Sequence, residues 1–359
     1  MADDGKVFEL CAFCPSLCMD RCPVVAATGN SAWTPQAKMM AGWLHERGFR
    51  GLDAEAGRTI YQCTGCMSCR IPCLHEIDVE KALFDLRARL VKSGVRPFDE
   101  SAFSVDDETL AKRFLELAPE EYMVPEAGAA LFPGVGALLH NPGVIRDIFN
   151  VFGALGIDTV AGVPSLAVDS GYDLYAAGFI DSFRELAGRV GTNLRRYRRI
   201  VVLSPVDFYT ITVLYPLHGV RVTPEVLLAS DLVGGLMLAR KPVTAPARAV
   251  AYHDSCIGGR HLERYDMPRK LIEHVVGRPA IELRRHHADS MCCGAGGAWA
   301  ATNPAGAAES GRQVALMARD AGAEMLVMSG CNCVGNVANR IDGMTVVDLV
   351  SFVARALGL

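Results

Sequence analysis

Apolar runs long enough to cross a membrane are missing from this chain. A spanning helix needs about 20 unbroken apolar residues. The nearest stretches, 201–220 and 232–238, are cut by Pro205, Asp207, Pro216 and His218 or stop short. Net basic charge is missing too: 36 Lys and Arg against 40 Asp and Glu leave −4, so binding to nucleic acid or an anionic membrane has no electrostatic drive. The first 30 residues carry Asp3, Asp4, Glu9 and four cysteines where a secretory signal needs an apolar segment, and no lipoprotein or twin-arginine signal is evident. These absences predict a cytoplasmic protein whose membrane association, if any, is made through a partner. A G-x-G-x-x-G fingerprint, a phosphate loop and a Ser-His-Asp constellation are also lacking, which assigns hydride chemistry to another subunit.

Cysteine is what the chain has in excess. Its 359 residues include 13 cysteines, while half of the chain is apolar and 21% is charged, enough for about two to three soluble domains. In a reducing compartment such thiols are metal ligands rather than disulfides. Eight lie before residue 74 and five after residue 255. The first eight form two runs, Cys11-x2-Cys14-x3-Cys18-x3-Cys22-Pro23 and Cys63-x2-Cys66-x2-Cys69-x3-Cys73. The second run has the bacterial ferredoxin spacing, in which the fourth cysteine serves the other cluster. Three close thiolates wrap three irons of one cube, and the chain carries the fourth thiolate away. Crossing the runs predicts one 4Fe–4S cubane on Cys11, Cys14, Cys18 and Cys73 and a second on Cys63, Cys66, Cys69 and Cys22. The first run is one residue longer than the pattern between Cys14 and Cys18, which lengthens one ligand loop. Zinc is the alternative, although four-cysteine zinc sites normally use two CxxC pairs.

Between the runs, Thr34-Pro35 reads as an N-cap followed by the first helical residue. After them, 78–92 carries Val79, Leu83, Leu86 and Leu90 at helical spacing. Cubanes set among helices resemble the helical dicluster domains of three known proteins. These are the C subunit of heterodisulfide reductase, the iron–sulfur subunit of glycolate oxidase and the C subunit of the anaerobic glycerol-3-phosphate dehydrogenase.

The last five cysteines follow Cys256-x35-Cys292-Cys293-Gly294-x36-Cys331-x-Cys333. This resembles the cysteine-rich CCG domain in the B subunit of heterodisulfide reductase, which has one cysteine, a CC-Gly pair and a final CPxC. The resemblance implies a non-cubane 4Fe–4S cluster on Cys256, Cys292, Cys293, Cys331 and Cys333, with the adjacent pair supplying bridging thiolates. Zinc or an empty site is the alternative. Cys331-Asn332-Cys333 departs from the family, being one residue shorter than CPxC and lacking its proline. The Gly294–Gly297 run would let backbone approach a cluster closely, or would simply turn the chain before a helix.

The region before this one can be laid over it. Pro133-Gly134-Val135 falls where Ser255-Cys256 stands, and Asp169-Ser170-Gly171 where Cys292-Cys293-Gly294 stands. Gly178 closes that motif, and Ser204-Pro205-Val206-Asp207 keeps the CPxC frame with both cysteines replaced. Either this is a CCG-type copy stripped of its ligands, or two α/β domains agree by chance. In the first case Asp169, Ser170, Ser204 and Asp207 would form a small polar pocket or a satisfied hydrogen-bond network. Apolar runs at 199–203, 249–252 and 324–328 read as buried parallel strands, with helices at 180–194 and 307–321.

The expected architecture is thus an α-helical ferredoxin-like dicluster domain (1–95), a polar linker (96–128) and two α/β CCG-type repeats. The first repeat is degenerate (129–245) and the second carries a third cluster (246–359). His253, His286, His287 and His75 lie near cysteines, where polar surface or support is the bland account of each. The acidic pairs of the linker read as solvated faces, and the thirteen methionines as core filler. The functional expectation is an iron–sulfur electron-transfer subunit of an oxidoreductase complex. By resemblance its partner is a flavoprotein dehydrogenase, an electron-transferring flavoprotein or a membrane quinone-reactive subunit. Two alternatives stand beside it: heterodisulfide reductase-like thiol–disulfide chemistry at the third cluster, and a scaffold whose C-terminal cysteines bind zinc.

Overall fold

The computed structural model describes residues 4–120, 129–157, 160–162, 168–242 and 249–359. The N-terminal module is built of helices Asp4–Ala12, Pro23–Thr28, Pro35–Glu46, Ala54–Ile60 and Val79–Lys92. Their starts follow from local chemistry. Thr34 Oγ1 accepts from Ala37 N–H at 3.0 Å, Asp53 from Ala56 N–H at 2.7 Å and Asp78 from Lys81 N–H at 2.9 Å, which satisfies backbone donors that a helix end leaves free. Phe8, Met39, Ile60, Leu83, Leu86 and Leu90 form the module's core. Seven of its eight cysteines lie in the stretches between helices, and Cys11 lies near the end of the first helix.

Two four-stranded parallel sheets follow. The first contains β1 (Ala129–Phe132), β2 (Val160–Gly162), β3 (Arg199–Val202) and β4 (Glu225–Leu228) in the order β2-β1-β3-β4. The second contains β5 (Val250–His253), β6 (Ile281–Glu282), β7 (Met325–Met328) and β8 (Thr345–Asp348) in the order β6-β5-β7-β8. Numbered from its own first strand, each sheet has the same order. β1, β5 and β7 are buried along their whole length, as parallel strands covered by helices on both faces must be.

The two halves also pair reciprocally. Helix Leu349–Ala356, which follows β8, packs on Gly143–Leu155, which follows β1. Helix Ala229–Leu238, which follows β4, packs on Asp266–Val276, which follows β5. That is the contact pattern of a pseudo-twofold, and it turns the two β1/β5-side loops toward one another.

The dicluster module lies across this junction. Tyr61 Oη donates to Ala177 O at 2.6 Å on the first half, and Trp299 Nε1 donates to Gln62 Oε1 at 2.9 Å from the second. A Cβ on Gly297 would stand 2.3 Å from Thr64 C, so the close approach of module and second half requires glycine there. The stretch expected to be a polar linker carries structure of its own. Helix Asp107–Leu117 buries Leu110 and Phe114 against the first half, because its two apolar side chains lie four residues apart on one face. Residues 121–128 of that stretch and 243–245 of the first repeat lie outside the described residues.

Candidate metal centre

The N-terminal thiols form two groups. Burial pushes Cys11 up to about 12, and the thiols of Cys18, Cys14 and Cys73 push it the same way. Burial likewise raises Cys18 to about 11, with Cys22, Cys14 and Cys73 close enough to add to it. Cys69 is pushed well up by burial and by Cys66, Cys63, Cys22 and Cys18. Cys73 therefore returns to the first run, and Cys22 reaches the second. The first group opens on a cavity of about 420 Å³ whose wall includes Leu10, Phe13, Leu17 and Leu74. The second group is enclosed. Lys38, 1% exposed, points its Nζ at it, 3.8 Å from Cys22 Sγ, and donates to Gln62 O at 2.5 Å.

The C-terminal thiols are all buried. Cys256 stands at the end of β5, where the chain turns into a π-helical segment, Ile257–His261. The Cys292-Cys293 pair is held by its backbone: Ser310 Oγ donates to Cys292 O at 2.8 Å, and Asn336 Nδ2 donates to Cys293 O at 2.6 Å. Gly294 has φ +91°, and a Cβ there would meet Ser310 Cβ at 2.9 Å, so the turn after the pair demands glycine. The Cys292 thiol is within hydrogen-bonding reach of Cys256, Cys293 and Cys66, and Cys293 of Cys333. Cys66 belongs to the dicluster module, so the two modules meet sulfur to sulfur. Cys256, Cys293 and Cys333 line a cavity of about 40 Å³ together with Thr64, Tyr172 and Ser204.

Cys331 sits differently. It lies within electrostatic reach of Cys333, but its own thiol is bonded to Asn141 and flanked by Asp348 and Asp207. Aligned from the starts of β3 and β7, Asp207 falls opposite Cys333, Pro205 opposite Cys331 and Ser204 opposite Gly330. Cys331 therefore takes the proline position of a CPxC frame, which explains why that pair is short by one residue.

In the first half, Ser170 Oγ donates to Asp207 Oδ1 at 2.5 Å and Gly171 N–H to Asp169 Oδ1 at 2.8 Å. Burial raises Asp207 to about 8 and Asp169 to about 6. Asp169, Ser170 and Asp207 line a cavity of about 510 Å³ together with Asp173, Asn332 and Asn336, whereas Ser204 faces the smaller one beside Cys256. Tyr172 lines both cavities, is 5% exposed, and its hydroxyl has no hydrogen-bond partner.

Of the histidines, His253 is buried on β5 with Nε2 2.8 Å from Met291 O, and burial lowers its pKa. His286 and His287 face each other at 2.7 Å near Glu282, on the surface, and His75 is exposed. Sequence reasoning missed the buried cations. Arg87 donates to Ala176 O, Gly297 O, Ile60 O and Cys63 O at 2.6 to 3.2 Å. Arg260 donates to Cys66 O, to Ala288 O at 3.0 Å and to Ser290 O at 2.7 Å. Nothing in spacing marks such residues, since an isolated Lys or Arg on a helix normally snorkels to water.

All thirteen thiols are free, and burial with mutual repulsion disfavours them as bare thiolates. An all-sulfur donor set of this kind fits groups that bring their own positive charge, namely iron–sulfur clusters, with zinc as the other thiolate-binding metal. Comparison with known proteins distinguishes these. Residues 8–77 match the 4Fe–4S dicluster domain family, and residues 250–338 match the cysteine-rich CCG domain family. The chain is similar to the D subunit of the dihydromethanophenazine:CoB–CoM heterodisulfide reductase of Methanosarcina barkeri, at 24% identity over 98% of this chain and 94% of that protein. A probable membrane-anchored ferredoxin of Chromohalobacter salexigens is 27% identical over 92% of this chain and 52% of its own length. An EtfAB:quinone oxidoreductase of Syntrophomonas wolfei is 26% identical over 68% and 37%. Among solved structures, a hypothetical protein from Helicobacter pylori shares the fold, with a TM-score of 0.59 at 12% identity over 91% of this chain and 68% of that one. Among the described residues no helix is long and apolar enough to cross a membrane. The chain is an iron–sulfur protein of the heterodisulfide reductase-like kind, in which a 4Fe–4S dicluster domain is joined to a cysteine-rich CCG domain.

Proposed function

We propose that this chain is an electron-transfer subunit with three iron–sulfur centres in series. Cys11, Cys14, Cys18 and Cys73 hold the first cubane, and Cys63, Cys66, Cys69 and Cys22 the second. Cys256, Cys292, Cys293 and Cys333, with Cys331 at the edge, hold a non-cubane third. Residues 129–245 are then a copy of the CCG repeat that kept its sheet and lost its thiols. The observation that carries the reading is the contact of the Cys66 and Cys292 thiols, because it leaves no insulating protein between the second and third sites. Iron–sulfur clusters, when bound, supply reversible one-electron carriers whose potentials respond to charge, burial and hydrogen bonds at sulfur. The protein positions them, and its first site opens toward a partner. A flavoprotein or electron-transferring flavoprotein on one side and a quinone-reactive subunit on the other are consistent with the name of the Syntrophomonas wolfei relative.

Iron and acid-labile sulfide per chain, measured on anaerobically purified protein with electron paramagnetic resonance, test this. About twelve irons and an oxidised-state signal unlike a reduced cubane are expected. About eight irons with only reduced-state cubane signals would leave a two-cluster relay and an empty or zinc-loaded third site.

One observation favours a second reading. The cavity of about 510 Å³ and the one of about 40 Å³ share Tyr172, Val206, Ala295 and Asn332 in their walls, which gives a small molecule a way to the third site. There a disulfide taking up two electrons and two protons would leave as two thiols. Cleavage of a disulfide by the reduced protein alone, with no flavoprotein present, is the result this reading requires.

A further inference from the structure

We infer that Lys38, assisted by Arg87 and Arg260, is a fixed charge that makes the second cubane site the electron sink of the dicluster module. This deepens the relay reading and rests on its ligand sets. A buried ammonium is costly unless an opposite charge accompanies it. Among the described residues Lys38 has no carboxylate within ion-pair distance: its Nζ meets only Gln62 O and Cys22 Sγ. The groups it acts on are Cys22, Cys63, Cys69 and Cys66, the whole proposed ligand set of one cubane. The counter-charge that keeps this lysine buried is therefore the thiolate-bound centre.

Two guanidiniums reinforce it. Arg87 is fully buried and bonds the carbonyl of Cys63, and Arg260 bonds the carbonyl of Cys66 beside Cys292. Glu80 faces the same loop but lies 3.2 Å from His261 Nε2. That pair carries no net charge whether the shared proton sits on the carboxyl or on the ring.

The first site has no such set. Its cavity wall contains Glu9, Gln36 and His75 among apolar side chains, with no Lys or Arg. Reduction adds one negative charge to a cluster, and a neighbouring cation stabilises that charge most where water is excluded. Electrons reaching either cubane therefore settle on the second, against Cys292 of the third site.

The test is a redox titration of the anaerobic full-length protein, followed by electron paramagnetic resonance. In Lys38→Met the cubane signal of higher potential should become about tenfold harder to reduce at a given ambient potential, a fall of ~59 mV for one electron. The other cubane signal should move much less, and Lys38→Arg should restore the wild-type value. Equal shifts of both signals, no shift, or a shift confined to the lower-potential signal would overturn the inference. If Lys38→Met fails to assemble the cluster, Arg260→Gln must lower the same signal, and a null result there overturns it equally. Iron content decides separately whether the clusters exist, so failure of the relay reading and of this charge assignment are told apart.

Discussion

The two sheet-bearing halves agree where they are apolar and differ where they are polar. Ala129–Phe132 and Val250–His253 are both buried four-residue strands at the centre of a sheet, and both sheets run in the same order. At the loop ends the second half presents Cys256, Cys292, Cys293 and Cys333, while the first presents Val135, Asp169, Ser170 and Asp207. Strands and helices hold such a fold through burial alone, so ligand positions can be lost without losing the frame. What the first half retains is hydrogen bonding: Ser170 to Asp207, Gly171 to Asp169, and Tyr215 Oη to Ser170 O at 3.0 Å.

The contrast can be broken most strongly on the ligand-bearing side. Cys293→Ser should abolish the third centre, removing about four irons per chain, while both cubane signals persist; loss of every signal together would show that the modules do not load independently. Arg87→Met comes next, because it strips hydrogen bonds from carbonyls on the module and on both halves. Each buried acceptor left unsatisfied is costly, and about 3–5 kcal/mol of destabilisation is expected in a denaturant titration of the anaerobic protein. An unchanged midpoint would mean that the three parts do not rely on this residue.

The smallest effect belongs to the stripped half. Asp207 is raised from 3.8 to about 8 by burial, outweighing the hydrogen bond from Ser170. Its contribution to stability is therefore full below about pH 4 and is lost as pH rises toward 8, where the unfolded chain gains by ionising it. Asp207→Asn keeps the acceptor oxygen and removes that ionisation. The variant should be more stable than the parent by on the order of 2 kcal/mol at pH 8, converging with it near pH 4, with iron content unchanged. A drop in iron would contradict a ligand-free first half.

Much of this was legible in one dimension. The helix starts at Thr34 and Asp78, the helix Ile180–Leu194 and three of the central strands follow from capping chemistry and apolar periodicity, which act over a few residues. Ligand spacing is equally local, and it pointed to both cysteine groups. The helix Asp107–Leu117 was hidden because a helix with only two buried apolar positions barely differs in composition from a solvated link.

Sequence by itself therefore determined which residues bind sulfur-loving metal and which segments form helices or strands, since both depend on near neighbours along the chain. Tertiary structure alone decided that Cys66 meets Cys292, that Cys331 turns toward Asn141 and Asp348, and that Lys38 is buried against one cubane site. These join residues far apart in sequence, and their energies come from desolvation and charge at a packed junction that no local pattern encodes.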